Sequence, residues 1–262
     1  MTRRLALTGI AVLASLTLAT GCQGTPGGSA TTPPTKTATE LLNDAVTKAN
    51  GQSFKYGLVY GDALKGDGAL DPAGPSSQSS VTLTVPSAGV TAKVDALIVG
   101  GDIYLKLDLG ALTAAIPGLQ NVGDKWMHVD KSKIGNSGLA ARLTPSQDSI
   151  GAGSFVKGVV SAEKVSDTEI KGTLDLTKSA PGLLQPDQIS AFGEAGKKVP
   201  FTATLDAQGR VAKLVLDMPK AGDLPAQPLT TTYTDYGSTV TITKPEAAKV
   251  VEAPDLIYTF LQ

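Results

Sequence analysis

Apolar residues recur at two spacings along this chain, and the change falls at Gly51. Before it, "TATELLNDAVTKANG" places Leu41, Leu42, Ala45, Val46 and Ala49 on one helical face. Thr37 and Glu40 have capping-box spacing and Gly51 supplies a stop, so this stretch is expected to be an amphipathic helix. Beyond it the apolar positions alternate. "SFKYGLVY" sets Phe54, Tyr56, Leu58 and Tyr60 on one side. "VTAKVDALIVG" opposes Val90, Ala92, Val94, Ala96 and Ile98 to Lys93 and Asp95. "DIYLKLDL" opposes Ile103, Leu105 and Leu107 to Tyr104, Lys106 and Asp108, while "SVTLTVP" and "KWMHVD" are shorter segments of the same kind. Alternation with charge on one side marks antiparallel strands with one dry and one wet face.

A looser middle follows. "LGALTAAIPGLQ" spaces Leu109, Leu112 and Ile116 helically before Pro117 ends it, and "DSIGAGSFVKGVVSA" reads as a second short helix despite its glycines. "EIKGTLDL" is a strand and "PDQISAFGEAG" a helix, with Pro186 at a favoured early position. "VPFTATLDAQGRVAKLVLDMP" predicts two strands hinged at Ala207-Gln208-Gly209. "LTTTYTDYGSTVTITKP" predicts two more, hinged at Tyr236-Gly237-Ser238. With no break in composition after residue 37, residues 38–262 are expected to be a single α+β domain.

The first residues follow neither period. Met1 to Arg4 carry two positive charges, and Leu5 to Ala19 carry none. This is the charged and apolar layout of a secretory signal, shorter than the roughly 20 apolar residues of a membrane-spanning helix. Small residues then lead through Leu18-Ala19-Thr20-Gly21 into Cys22, the only cysteine. That stretch resembles the lipobox read by lipoprotein signal peptidase, with Ala19 where leucine is most usual and Leu18 one place earlier. The expected boundaries are a signal peptide over residues 1–21 and a lipidated Cys22 with a Gly/Pro/Ser/Thr linker over 22–37. The alternatives are plain secretion or an uncleaved anchor. A linker of this composition reaches about 20 Å as a random coil. Diacylglyceryl attachment makes the lone thiol a thioether and holds the chain at the extracytoplasmic face of the plasma membrane, since two acyl chains bind stably where one is marginal.

Composition narrows the function. Apolar residues are 41% of the 262, but aromatics are 5%, so a core must be mostly aliphatic. With 23 basic and 24 acidic residues no field attracts nucleic acid. Loss of residues 1–21 removes Arg3 and Arg4 and no acid, leaving a formal charge of −3 and no polybasic patch to hold a membrane surface. One cysteine forms no internal disulfide and one histidine builds no ordinary zinc site. His128, opposite Met127 by alternation, reads as a structural or solvent-facing strand histidine. No nucleophile elbow, phosphate-binding glycine loop or metal-ligand spacing occurs. The expectation is therefore no catalysis, no cofactor and no metal, in a monomer.

The order of a helix after a lipidated linker, a long meander, a helical interlude and two closing hairpins resembles the LppX/LprAFG family of actinobacterial cell-envelope lipoproteins. The stretches that carry the resemblance are "ELLNDAVTKA", "DIYLKLDL" followed by "KWMHVD", "VPFTATLDAQGRVAKLVLDM" and "YTDYGSTVTITKPEAAKV". The insert "GDGALDPAGPSSQSS" over 66–80 and the segment after Lys249 have no place in that pattern. The resemblance implies a LolA/LolB-like fold, a curved, incomplete antiparallel barrel with helices across its open face. It implies a lipid or lipoglycan ligand, held in the cavity between sheet and helices and shuttled or presented in the envelope. Expected cavity residues are Leu42 and Val46 on the first helix, Tyr56 and Leu58, Val94, Ala96 and Ile98, and Ile103 and Leu105. Leu112 and Ile116 would form a rim, Trp126 a wall, and Phe201, Leu214 and Leu216 the far side. The same alternation fits a filled core with no void, in which case the chain is a tethered module for a protein partner in the envelope.

Overall fold

The alternating segments pair side by side because each has one face to bury and a backbone to satisfy. The computed structural model describes residues 36–85, 89–110, 113, 116–120, 122–134, 152–179, 186–222 and 225–261. Their strands are β1 (Phe54–Tyr60), β2 (Leu64–Asp71), β3 (Ser76–Val85), β4 (Val90–Val99), β5 (Asp102–Asp108) and β6 (Trp126–Val129). Then come β7 (Val159–Lys164), β8 (Glu169–Leu174), β9 (Val199–Leu205), β10 (Val211–Met218), β11 (Gln227–Thr234) and β12 (Val250–Glu252). They form one sheet in the order β12-β6-β5-β4-β3-β2-β1-β11-β10-β9-β8-β7. The sheet is antiparallel except for the β12–β6 pair and is not closed into a barrel. The fold is mixed α+β.

Among the described residues the α-helices are α1 (Ala38–Ala49), α2 (Ala152–Gly158), α3 (Pro186–Ala191) and α4 (Asp255–Leu261). The capping box of α1 is formed: Glu40 N–H donates to Thr37 Oγ1 at 3.2 Å, and Thr37 N–H donates to Glu40 Oε2 at 2.7 Å. No helix among the described residues is long and apolar enough to cross a membrane.

Register places the alternating apolar positions of the central strands on one face, called inner here, while Val59, Ala69, Leu97, Tyr104 and Val215 fall on the other. Leu42 and Ala45 of α1 pack there against Ile170 and Leu174 of β8, Phe201 and Ala203 of β9 and Leu216 of β10, forming one buried cluster. Ile257, Tyr258 and Leu261 of α4 pack against Ile98, Ile103, Leu105, Met127 and Val129, forming a second. The two clusters lie on opposite flanks of the same face, with β1, β2 and β3 between them.

The expectations for the second closing hairpin and for 148–162 are corrected, and the insert gains a place. The insert 66–80 is a hairpin: β2 and β3 pair from Leu64↔Leu83 to Asp71↔Ser76, turning through Pro72–Pro75. Gly66, Gly68 and Ser76–Ser80 are strand residues, and Gly68 must be small, since a Cβ there would come within 2.5 Å of the Tyr56 ring. The second closing hairpin does not form, because β11 already has β10 and β1 on its two edges and leaves no edge for "STVTITK". Residues 235–249 instead lead from the middle of the sheet to β12 at its margin, with a short 3-10 turn at Ala247–Lys249. The expected helix over 148–162 is helical only at Ala152–Gly158 among its described residues; from Val159 the β-branched pair Val159-Val160 begins β7. Of the expected rim helix Thr113 is helical, the chain turns at Pro117–Gln120 where Pro117 is expected to end it, and Leu112 lies outside the described residues.

Candidate functional site

The inner face of β1 to β6 is built from levels that register defines. At the first level Phe54, Leu70, Ser77, Ile98, Ile103 and Val129 stand side by side. At the second are Tyr56, Gly68, Ser79, Ala96, Leu105 and Met127. The third holds Leu58, Gly66, Val81, Val94 and Leu107, and the fourth Tyr60, Leu64, Leu83 and Ala92.

Exposure rises along these levels. Phe54, Leu70, Ile98, Ile103 and Val129 are buried, the third level is half-buried except Leu58, and Leu83 at the fourth is 42% exposed. An aromatic group seals the buried end: the Phe54 ring lies 5.9 Å from Tyr233 and 5.7 Å from Tyr236. The Tyr236 hydroxyl donates to Val211 O at 2.7 Å, and the Arg210 guanidinium sits 4.6 Å from the Tyr236 ring centre. Burial pushes the Tyr236 phenol far above its ordinary pKa, so it stays a neutral donor.

Across β1 to β5, β10 and β11 no described inner-face position is charged. The polar groups there are hydroxyls, Ser77, Ser79, Thr231 and the tyrosines, with Gln227 at the end of β11. Tyr56 crosses Gly68 to Ser79; burial pushes its phenol up, and the hydrogen bond with Ser79 pulls it partly back. The opposite, outer face of the same strands carries Lys55, Lys65, Asp67, Lys93 and Asp95. A surface with these walls accepts hydrocarbon and ester or hydroxyl groups and rejects an unpaired charge.

Of the expected cavity residues, Tyr56, Leu58, Val94, Ala96 and Leu214 lie on the inner face between the two clusters or at their borders, with Leu58 buried and the others half-buried. Leu42, Phe201 and Leu216 lie within the α1 cluster, and Val46 is buried on α1. Ile98, Ile103 and Leu105 lie within the α4 cluster, against which Ile116 packs. Trp126 is a correction. Register puts Met127 beside Leu105, so Trp126 projects from the outer face and does not line the inner one. Cys22 and Leu112 lie outside the described residues.

The expected cavity residues omit Leu64, Gly66, Gly68, Ser79, Val81 and Leu83, which β2 and β3 contribute, although "SVTLTVP" alternates at Val81 and Leu83. The signal that reveals them is the charge alternation: Lys65 and Asp67 interleave with Leu64, Gly66 and Gly68. His128, on the outer face, has Nδ1 3.2 Å from Glu252 Oε1 and Nε2 3.8 Å from Asp102 Oδ1, and Lys244 Nζ lies 2.6 Å from Asp102. The hydrogen bond from Lys244 holds the Asp102 carboxyl below its ordinary range. Among the described residues no group of three or more His, Cys, Asp or Glu side chains is placed to hold a metal ion. No known family model matches the chain, and no curated protein matches it in sequence.

Proposed function

We propose that this protein is a lipid-anchored extracytoplasmic carrier that binds the acyl chains of a lipid or lipoglycan on the inner face of β1 to β4, with no chemical step. The observation that carries this reading is the polarity of the central strands. Their inner face is uncharged and opens to solvent at Leu83, while their outer face is lined with lysine and aspartate. Acyl chains would lie along the levels from Leu83 toward the aromatic seal, leaving a headgroup at the open end. A LolA/LolB-like curvature of the open sheet would bring the α1 and α4 flanks toward each other over those chains. The anchor at Cys22 and the linker would keep the carrier within reach of the bilayer.

Incubation of delipidated protein with a total envelope lipid extract, followed by native mass spectrometry, is expected to show a bound lipid. Protein that emerges reproducibly empty contradicts the reading. Cys22→Ala is expected to abolish partitioning into the detergent phase, and unchanged partitioning removes the anchor. A filled core serving a protein partner is the second reading, favoured by the way Tyr56 covers Gly68 and Phe201 covers Gly172. In that case the extract leaves no bound mass.

A further inference from the structure

Residues 235–261, which follow β11, form an arm along the sheet. Its helix α4 covers the β4–β6 flank of the same uncharged face that the proposed ligand would use. The arm leaves β11 in the middle of the sheet and reaches the margin through residues 239–246, which form neither strand nor helix. It is fastened there by β12, whose ladder with β6 has three residue pairs, whereas β1 and β2 share seven. Ala253 N–H donates to His128 O at 2.9 Å, Glu252 meets His128, and Tyr258 Oη accepts from Asp130 N–H at 3.0 Å. On its buried side α4 presents Ile257, Tyr258 and Leu261 to Ile103, Leu105 and Met127.

Two properties follow from this construction. A segment held by a three-pair ladder at a sheet margin breaks few backbone hydrogen bonds when it leaves, so it opens at lower free energy than the central strands. What it uncovers is apolar and continues the uncharged inner face of β1 to β4, which is exposed at Leu83, so hydrocarbon can replace α4 with like for like. We propose that α4 is a hinged lid: β12 and α4 swing off as a unit, joining the β4–β6 flank to the β1–β3 surface, and close again when the ligand leaves. This rests on the proposed ligand reading for its purpose, but the hinge itself has an independent readout.

The test is hydrogen exchange by mass spectrometry on purified protein, alone and with pyrenedecanoic acid as the acyl probe. In the free protein the amides of 250–261 are expected to exchange faster than those of β9 and β10. On loading they should exchange faster still while β9 and β10 stay unchanged. Ile257→Ala removes packing from the lid alone, and should raise the probe association rate about tenfold by enlarging the open fraction. Tyr258→Phe, which keeps the ring and loses the Asp130 contact, should shift it in the same direction by less. Exchange of 250–261 as slow as that of β9 and β10, or a lid unchanged by bound probe, overturns the proposal. If the probe does not bind at all, the ligand reading fails. In that case fast exchange confined to 250–261 still sustains the hinge, and slow exchange there overturns it.

Discussion

Leu83 and Val59 offer a matched pair of perturbations. Leu83 is 42% exposed on the inner face and Val59 is 44% exposed on the outer face. Full burial of an aliphatic side chain contributes about 1.5–3 kcal/mol. With much of each side chain already in water, Leu83→Asp and Val59→Asp should each cost folding about 1 kcal/mol, a fall in Tm of about 2–4 °C for a domain of this size. Their effects on an acyl ligand should differ sharply. A carboxylate held against hydrocarbon must stay charged in an apolar setting or take up a proton. The second route caps the penalty at about 4 kcal/mol at pH 7, three pH units above an ordinary aspartate. At about 1.4 kcal/mol per factor of ten, Leu83→Asp should weaken binding about 100- to 1000-fold, and Val59→Asp should leave it unchanged. Fluorescence titration with pyrenedecanoic acid, beside thermal melts of both variants, reads the difference. Equal affinities for the two variants, with both folded, would refute placing the ligand on the inner face.

Three further outcomes test the fold beneath the site. Leu42 is fully buried under α1, so Leu42→Ala should cost about 2–5 kcal/mol and lower Tm by about 5–15 °C, read by calorimetry. Gly172→Ala should cost about 1–3 kcal/mol or more, because its Cβ would meet the Ser161 carbonyl and, at 2.8 Å, the Phe201 ring; a melt matching the parent would contradict the close approach of β7, β8 and β9. Asp206 is pushed up by partial burial, but hydrogen bonds from the Arg210 backbone and side chain and from Gln208 N–H outweigh this and leave its pKa below the ordinary value. The unfolded chain then binds the proton more readily. The stability contributed by Asp206 is complete above about pH 4 and is lost as pH falls through its folded value, so Asp206→Asn should flatten the acid limb of the stability curve in urea melts.

How far the sequence could be read depended on which face carried the signal. Where both faces spoke, as in β4 with Val94 and Ala96 against Lys93 and Asp95, strand and orientation were legible together. In the middle of β2 and β3 the inner face is Gly66, Gly68, Ser77 and Ser79, with Gly68 leaving room for the Tyr56 ring, so the hydrophobic period shows only at the strand ends, in Leu64, Leu70, Val81 and Leu83. Trp126 was misplaced because bulk suggested a wall, whereas the parity set by Met127 and Val129 decides the face. The failed closing hairpin is a different kind of error. "STVTITK" has strand composition, but β1, nearly two hundred residues earlier in the chain, occupies the edge it would need. Nothing local records that competition. For the same reason α4 was invisible as a cover: its apolar side has meaning only once β4, β5 and β6 lie beneath it.

The carrier reading depends on hydrocarbon resting against the uncharged side of β1 to β4. The most direct measurement is photolabelling of the folded protein with a diazirine fatty acid, followed by peptide mapping of the crosslinked positions. Labels concentrated at Leu58, Val81, Leu83 and Val94 are the predicted result. Labels at Val59, Thr82 and Lys93 on the other side of the same strands, or no saturable labelling at all, would contradict it.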